Sequence, residues 1–424
     1  EGVSLKNVNI PHSVQKIENN AFYLCKSLEY IELPNSITAL EDRTFSNCDS
    51  LKDVNIPNTI KEIKFATFSD CDSLISIEIP DSVQQIGASA FAHCELLENV
   101  HFSQNLEYIA EAAFRECTLL KNLELPDSLL KINDFAFEGC SSLQNLTIPV
   151  SVHTIGNSAF SDCSSIKNIT FLGSIKNINP GVFAGCSALE DIAIPDSIEK
   201  ICDSLFVRCT SLKSITIPSN VKEIGASVFW GCSALEDIAI PDSVEKIGNN
   251  TFSDCTSLKS IIIPSAIKKI GWQTFNNCSS LREIYIMNKT AEIDVAAFDN
   301  IENDRLTIYG YSDSTAETFA EEHRFKFKSI SESGDEMFLT KKIKNYDNSN
   351  KIASFSDNSR YYVSSKIETY ITEHIGQWLR IKVEIKDEKE TIVYANMVEP
   401  NLRSEISVEV PGKIIYTKNG FSFD

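Results

Sequence analysis

The sequence lacks the composition of several large classes of protein. Glycine and proline supply only 16 and 13 of its 424 residues, which excludes collagen-like structure. Apolar residues make up 42%, so the chain can bury a large core and is not intrinsically disordered. No run approaches the roughly 20 apolar residues of a membrane span, and residues 1–4 have no signal-peptide character. We therefore expect a soluble segment without direct membrane insertion, whose natural start lies upstream.

Basic residues are too few to bind polyanions. Lysine and arginine total 39 against 59 aspartates and glutamates, which gives a formal net charge of -20. A chain this acidic repels phosphate backbones and anionic bilayers. Nucleic acid and acidic membrane surfaces are therefore excluded as expected partners.

Motifs that carry catalysis or bind cofactors are also missing. The six histidines show no metal-ligand spacing such as HExxH, and there is no glycine-rich phosphate loop and no GxSxG turn. Paired carboxylates are abundant, but a chain this acidic contains such pairs by chance. We expect no catalytic residue, no metal and no cofactor, and we do not expect an enzyme.

Cysteine is present in an odd and fairly high number, thirteen, which suggests disulfides, a metal cluster or a reactive thiol. Twelve of the thirteen recur at a fixed interval of 23 residues, with no insertion or deletion between them. These cysteines are Cys25, Cys48, Cys71, Cys94, Cys117, Cys140, Cys163, Cys186, Cys209, Cys232, Cys255 and Cys278.

The same period governs phenylalanine and proline. Thirteen phenylalanines, from Phe22 to Phe298, each lie three residues before a cysteine position, and ten of the 13 prolines also keep the step. A fixed period of 20 to 29 residues is typical of a solenoid, in which each unit is one coil that cannot bury its apolar face alone. The spacing therefore predicts about thirteen stacked coils.

One coil can be interpreted residue by residue from Cys71 onward. Leu74, Ile77 and Ile79 predict a short strand with inward apolar side chains, followed by a second inward pair at Val83 and Ile86. In the same unit, Pro80 ends the strand, Gly87 permits a tight backbone, and Ala90 and Phe91 begin a predicted short helical turn that ends near Cys94. Coils stacked about 4.8 Å apart would form a rod of roughly 60 Å.

This unit resembles the BspA-like class of leucine-rich repeat, through its Cys-x-Ser-Leu, Ile-Pro, Ile-Gly and Ala-Phe elements over residues 3 to about 330. The resemblance implies a curved, right-handed leucine-rich repeat solenoid of short parallel strands. It also implies an extracellular or cell-surface location, on mucosal bacteria or some protozoan parasites, and a role in adhesion or host-protein binding. The family has no shared catalytic residue.

The chain divides into three predicted parts. Residues 1–298 are the repeats, and residues 299–330 form a C-terminal capping unit that resembles the terminal unit of bacterial members. In that unit a capping box beginning at Ser314 predicts a helix from about Thr315 to His323, followed by an extended segment from Phe325 to Phe327. Residues 331–424 are predicted to be a small β domain, for which a β-sandwich is one arrangement, with strands at 378–385, 391–394 and 406–410.

The cysteines are best explained as buried structural thiols. Side chains at equivalent positions of parallel coils point the same way, whereas a disulfide needs converging Cβ atoms. No two of the twelve are closer than 23 residues in sequence, which argues against a metal cluster. We predict a column of small hydrophobic side chains. Cys202 lies at the glycine position of Ile-Gly and is interpreted as a tolerated variant.

Outward positions of the first strand form two columns that could contact a partner. One column is small and polar, and the other changes from acidic to apolar along the rod. This change, together with two tryptophans at variable positions, makes the C-terminal coils the preferred contact patch. The alternative is that these aromatic side chains pack against the cap or a neighbouring coil. The predicted patch consists of Asp191, Thr216, Trp230, Asp237, Ala239, Ile262, Trp272 and Tyr285.

The expected function is non-enzymatic adhesion or protein binding by a monomeric, surface-displayed solenoid, with a host or microbial macromolecule as partner. An alternative is an architectural spacer that presents a carbohydrate- or protein-binding C-terminal β domain. A carbohydrate-binding or hydrolytic tail has its only hint in Tyr361, Tyr362 and Trp378, which core packing explains equally well.

Overall fold

The computed structural model describes residues 4–330 and seven strands farther along the chain, at 337–347, 352–355, 360–362, 378–386, 390–397, 415–417 and 420–422. Residues 4–330 form a parallel β-solenoid of 23-residue coils. A coil typically contains a first strand, a second strand and a turn segment that leads to the cysteine, although residues 122–124 and 237–239, at the first-strand position, form no strand. Among the described residues, no helix has the length and apolar character needed to cross a membrane.

Where equivalent strands of neighbouring coils are hydrogen-bonded, they pair in parallel with a register of 23 residues, as Ile77 does with Val100. The first strands are Asn7–Asn9, Tyr30–Glu32, Asp53–Val54, Ser76–Glu78, Asn99–His101, Asn145–Ile148, Asn168–Phe171, Asp191–Ala193, Ser214–Thr216, Ser260–Ile263 and Glu283–Ile286. The second strands are Lys16–Ile17, Ala39–Leu40, Glu62–Ile63, Gln85–Ile86, Tyr108–Ile109, Lys131–Ile132, Thr154–Ile155, Asn177–Ile178, Lys200–Ile201, Glu223–Ile224, Lys246–Ile247, Lys269–Ile270 and Glu292–Ile293.

The core is built from the predicted inward positions. Leu74 and Val83 are fully buried, and Ile77, Ile79 and Ile86 are almost so. The phenylalanine rings stack in one unbroken column, with centroids 5.1 to 6.2 Å apart between successive coils. Because each ring contacts the coils on both sides, the column joins the array into one continuous apolar core.

The turn segment is not helical, so that part of the prediction is wrong. Ser89 and His93 have positive φ angles of 53° and 60°, which a right-handed helix does not allow. The backbone N–H groups of Ser89, Phe91 and His93 instead donate to carbonyl oxygens of the next coil at 2.9, 2.8 and 2.7 Å. Bonds between coils therefore alternate with three-residue turn bonds, such as the one from the Ala92 N–H to the Ser89 carbonyl oxygen, and together they satisfy the backbone along this side of the solenoid.

The tight backbone predicted at Gly87 is confirmed. A Cβ atom at this position would lie 2.7 Å from the Ile63 carbonyl oxygen of the preceding coil.

All thirteen cysteines have free thiols, as predicted. The twelve at the periodic position are buried, whereas Cys202 is half-buried. Burial raises the pKa of the Cys48 and Cys232 thiols to about 12. Thiols that stay protonated at neutral pH are poor nucleophiles, so the column is structural.

After the last coil the chain forms the strand Thr307–Tyr311, the helix Thr315–His323 (α1) and the strand Lys326–Ile330. The predicted helix is confirmed, and the Ser314 hydroxyl caps it by accepting from the Glu317 N–H at 3.3 Å. Phe319 lies 5.7 Å from Phe298, the last ring of the column. The helix therefore covers the end of the apolar core.

Beyond residue 330 the described strands are antiparallel. Met337–Asp347, Ile352–Phe355, Arg360–Tyr362, Trp378–Lys386 and Glu390–Met397 form a five-stranded sheet, and Ile415–Thr417 pairs with Gly420–Ser422. Two of the predicted strands, at 378–385 and 391–394, are confirmed. The third, at 406–410, lies outside the described residues, and the β-sandwich stays a prediction.

Candidate functional site

The solenoid presents three sets of outward side chains, on the first strands, the second strands and the turn segments. The predicted patch is divided between two of them. Its strand members form two in-register columns on the first strands, in which Ala193 pairs with Thr216, Thr216 with Ala239, and Ile262 with Tyr285. Asp191 and Asp237 belong to the neighbouring column of the same strands.

The column that contains Ala239, Ile262 and Tyr285 is largely covered at its apolar end by the cap. Tyr285 is only 8% exposed, and its ring stacks on that of Tyr309 with centroids 4.3 Å apart. Both tyrosine hydroxyls donate to the Glu283 carboxylate at 3.3 Å, and the Lys328 ammonium lies 5.5 Å above the Tyr309 ring. Tyr285 thus packs against the cap, which leaves Ile262 and Ala239 as the more accessible apolar positions.

The two tryptophans lie on the turn segments and not on the first strands. Trp230 is 36% exposed, its indole N–H donates to Asp254 Oδ2 at 2.7 Å, and the Arg208 guanidinium carbon lies 5.2 Å from its ring centroid. Trp272 is 47% exposed. The contacts of Trp230 hold a large aromatic surface in a fixed orientation, which lowers the entropy that a partner must remove on binding.

Sequence reasoning missed a second aromatic pair on the turn segments. Tyr23 and Phe65 are each 39% exposed, and they lie nine periods of 23 residues before Trp230 and Trp272. The two pairs therefore occupy equivalent coil positions near opposite ends of the array. The period itself was the signal, because it assigns residues 23 and 230 to one column.

Several charged side chains on the coil surface form ion pairs between neighbouring coils. Glu223 accepts from Lys246 at 2.7 Å and also faces Lys200 at 3.3 Å. The hydrogen bond from Lys246 is the main reason that the pKa of Glu223 is lowered. The pKa of Asp72, in contrast, is raised by burial and by the neighbouring carboxylates of Asp49 and Glu95. Such exposed pairs align coils but contribute little to stability.

The described residues contain no cluster of three or more histidine, cysteine, aspartate or glutamate side chains that could hold a metal ion. The outward sets consist instead of short polar groups, ion pairs and a few fixed aromatic rings. This surface suits contact with a macromolecule over many coils.

The repeat array matches a known family. The family model described as BspA type Leucine rich repeat region matches six copies, over residues 1–119, 84–212 and 176–304. The chain belongs to this family. Membership of the BspA type family supports a general role in protein binding, because leucine-rich repeat solenoids typically serve as binding scaffolds. No curated protein matches the chain.

The chain is similar to solved structures of bacterial repeat proteins, two of which share its fold with TM-scores above 0.5. A leucine-rich repeat protein from Bacteroides ovatus is 28% identical, with a TM-score of 0.65, and the match covers 77% of this BspA type chain and 92% of that chain. The pneumococcal vaccine antigen PcpA is 20% identical, with a TM-score of 0.52 and coverage of 77% and 89%. A leucine rich cell surface protein from Faecalibacterium prausnitzii is 24% identical, with a TM-score of 0.41 and coverage of 75% and 83%.

Proposed function

We propose that this BspA type protein is displayed at a bacterial cell surface, as a monomer, and binds a host or microbial protein through the outward columns of its C-terminal coils, without catalysis. The observation that carries the proposal is the exposed Trp230 ring, which is fixed by its hydrogen bond to Asp254 and by the Arg208 guanidinium beside it. Exposed tryptophan and arginine side chains commonly dominate the energy of protein interfaces. At the first-strand positions of the same C-terminal coils, Ala239 and Ile262 offer a second set of partly exposed apolar side chains.

Burial of the periodic thiols makes them compatible with an extracellular location. The periodic cysteines are buried, and burial holds their pKa values high, so an oxidising environment does not convert them readily to disulfides. A protein with thirteen exposed thiols would not keep them reduced outside the cell.

The experiment measures binding of the intact chain to a panel of purified extracellular-matrix and mucosal secreted proteins by surface plasmon resonance. For any protein that binds, Trp230→Ala is expected to weaken the complex by about tenfold or more, which corresponds to about 1.4 kcal/mol. Ile262→Asp is expected to weaken it as well. Tyr108→Ala, which removes an exposed aromatic ring from a second strand, is the control and should have no effect. Unchanged binding of both patch variants would contradict the proposed surface.

The spacer alternative is tested on the same panel. If the solenoid is the binding part, a chain that ends at residue 330 should still bind the partner. If the C-terminal β domain is the binding part, the shortened chain should not bind.

A further inference from the structure

The aromatic pair in the N-terminal coils borders a groove. The groove runs across five coils on the turn segments, has a volume of about 570 Å³, and has Tyr23, Arg43, Phe65, Asp70 and Arg115 along its walls and floor. That volume lies within the range of about 300 to 1,000 Å³ that is usual for sites of small organic ligands. Five coils at about 4.8 Å each make the groove roughly 20 Å long, which suits an extended ligand.

The open groove results from the residue sizes along one column. At the position after the periodic phenylalanine, the column reads Tyr23, Ser46, Ser69, Ala92 and Arg115. Three small residues in succession thus lie between two long side chains. The small residues are buried and form the floor, and the long ones close the two ends.

The floor carries a connected set of polar groups. The Asn47 amide donates to the Ser46 hydroxyl at 3.0 Å and to Asp70 Oδ2 at 3.2 Å. The Ser69 hydroxyl donates to the same Asp70 oxygen at 2.6 Å. The other carboxylate oxygen, Oδ1, accepts no hydrogen bond within the described part of the chain, so it can accept one from a ligand.

A donor stands beside this acceptor in the groove. The Arg43 guanidinium carbon lies 4.9 Å from the Phe65 ring centroid, and Arg43 forms no ion pair with any carboxylate among residues 4–330. Stacking on the ring fixes the plane of the guanidinium while its N–H groups remain able to donate. Arg115, at the far end, is instead paired with Glu138 at 2.7 Å.

Backbone N–H groups of the groove are already occupied. The N–H groups of Arg43, Asn47 and Asp70 donate to carbonyl oxygens of the following coil, at 2.9, 2.8 and 2.8 Å. No strand edge is therefore open for pairing with an extended peptide. The donors available to a ligand at these positions are therefore side chains.

We propose that this turn-side groove binds a neutral oligosaccharide. Sugar hydroxyls both donate and accept, which matches Arg43 as donor and Asp70 as acceptor, and the apolar face of a pyranose ring can pack on the Tyr23 ring. The charges of Arg43 and Asp70 balance, so the groove offers no excess of cations for a polyanion, and the chain carries a net charge of -20. The proposal is independent of the protein-binding surface at Trp230.

The test uses the intact chain and titration calorimetry with maltohexaose, cellohexaose and chitohexaose. At least one of these neutral sugars should bind, and Tyr23→Ala and Phe65→Ala should each weaken that binding about tenfold. Arg43→Lys keeps the charge but loses the planar fork, and it should also weaken binding. Trp272→Ala is the matched control, because residue 272 occupies the coil position of residue 65 nine coils later, and it should leave the affinity unchanged.

The same series contains the outcomes that would overturn the proposal. These are no binding of any of the three sugars at millimolar concentration, tighter binding of a hyaluronan hexasaccharide or an acidic peptide, or an equal loss with Trp272→Ala. Circular dichroism of each variant separates lost binding from lost folding. Failure here would leave the protein-binding proposal standing, because that proposal depends on Trp230 and Ile262.

Discussion

The Cys94 thiol donates a hydrogen bond to the backbone carbonyl oxygen of Phe68 in the preceding coil, with sulfur and oxygen 3.1 Å apart. Ten other periodic cysteines make the same bond, at 3.0 to 3.4 Å. Cysteine is therefore more than a small hydrophobic residue in this array. It fills the core and also satisfies a buried carbonyl that belongs to the neighbouring coil.

Removing the Cys94 thiol should lower stability, because both core packing and the hydrogen bond to the Phe68 carbonyl oxygen are lost. Cys94→Ala leaves a small cavity and an unsatisfied carbonyl, and it should lower the free energy of unfolding by about 1 to 2 kcal/mol in urea titrations. Cys94→Ser retains a donor and should lose less. Cys202→Ala, at the half-buried cysteine outside the column, is the control, with an expected change within about 0.5 kcal/mol. A serine variant less stable than the alanine variant would show that the hydrogen bond is not the reason for cysteine.

The phenylalanine column should be most sensitive in its middle. Phe137 is fully buried and stacks on Phe114 and Phe160, with both centroid distances 5.2 Å. Phe137→Ala should therefore lower the free energy of unfolding by about 3 to 5 kcal/mol. Phe22 lies at the partly buried end of the column and stacks only on Phe45, so Phe22→Ala should lower the free energy of unfolding clearly less.

Denaturant titrations of the two variants, followed by circular dichroism, provide the comparison. Because coils contact only their neighbours, the central variant should also split the transition into two steps. Equal losses for the two variants would argue against the column as the continuous core.

Much of the solenoid could be predicted from the sequence, because a fixed period assigns every residue to a coil position. The inward positions Ile77 and Val83 followed from it, and the helix that begins at Thr315 followed from its capping box. The turn segment could not be predicted. Its alanine and phenylalanine favour a helix locally, but bonds between stacked coils impose positive φ at residues such as Ser89. Tertiary context overrides local propensity here.

The candidate sites were only partly accessible to sequence reasoning. Tyr285 follows the apolar trend of its column, but its stacking partner Tyr309 lies in the cap, where the period no longer applies. The groove beside Tyr23 does not follow from the strand columns, because its lining residues lie on the turn segments. Only the structure shows that residues after the second strand face outward together.

The helix in the cap should depend on its N-cap. The Ser314 hydroxyl accepts from the Glu317 N–H, and the Glu317 carboxylate accepts from the Asp313 N–H at 2.6 Å. Ser314→Ala should lower the free energy of unfolding by about 1 kcal/mol, and Ser314→Asp, which keeps an acceptor, should lose less. Hydrogen exchange of the helix amides measures the local effect. Exchange at residues 315–323 that is no faster in the alanine variant would contradict this role.

Alkaline pH should unfold the array through its thiols. Burial raises the pKa of Cys48, Cys94, Cys232 and Cys278 to about 12, from an ordinary value of 9.0. Below pH 9 both the folded and unfolded states keep these protons, so thiol ionisation does not lower the free energy of unfolding. Above pH 9 the unfolded state releases them first, and each thiol lowers the free energy of unfolding by about 1.4 kcal/mol per pH unit until the pH reaches the folded pKa.

Stability should therefore fall steeply between about pH 9 and 12, as urea midpoints at successive pH values under reducing conditions would show. Replacing both Cys94 and Cys232 by alanine should make the fall shallower, although the variant is less stable at pH 7. Phe22→Leu, which weakens the array but keeps all thirteen thiols, is the control and should retain the wild-type slope. Ionisation of buried thiols is what would make the slope of the free energy of unfolding against pH depend on the number of cysteines. An unchanged slope in the double cysteine variant would therefore show that other groups cause the alkaline transition.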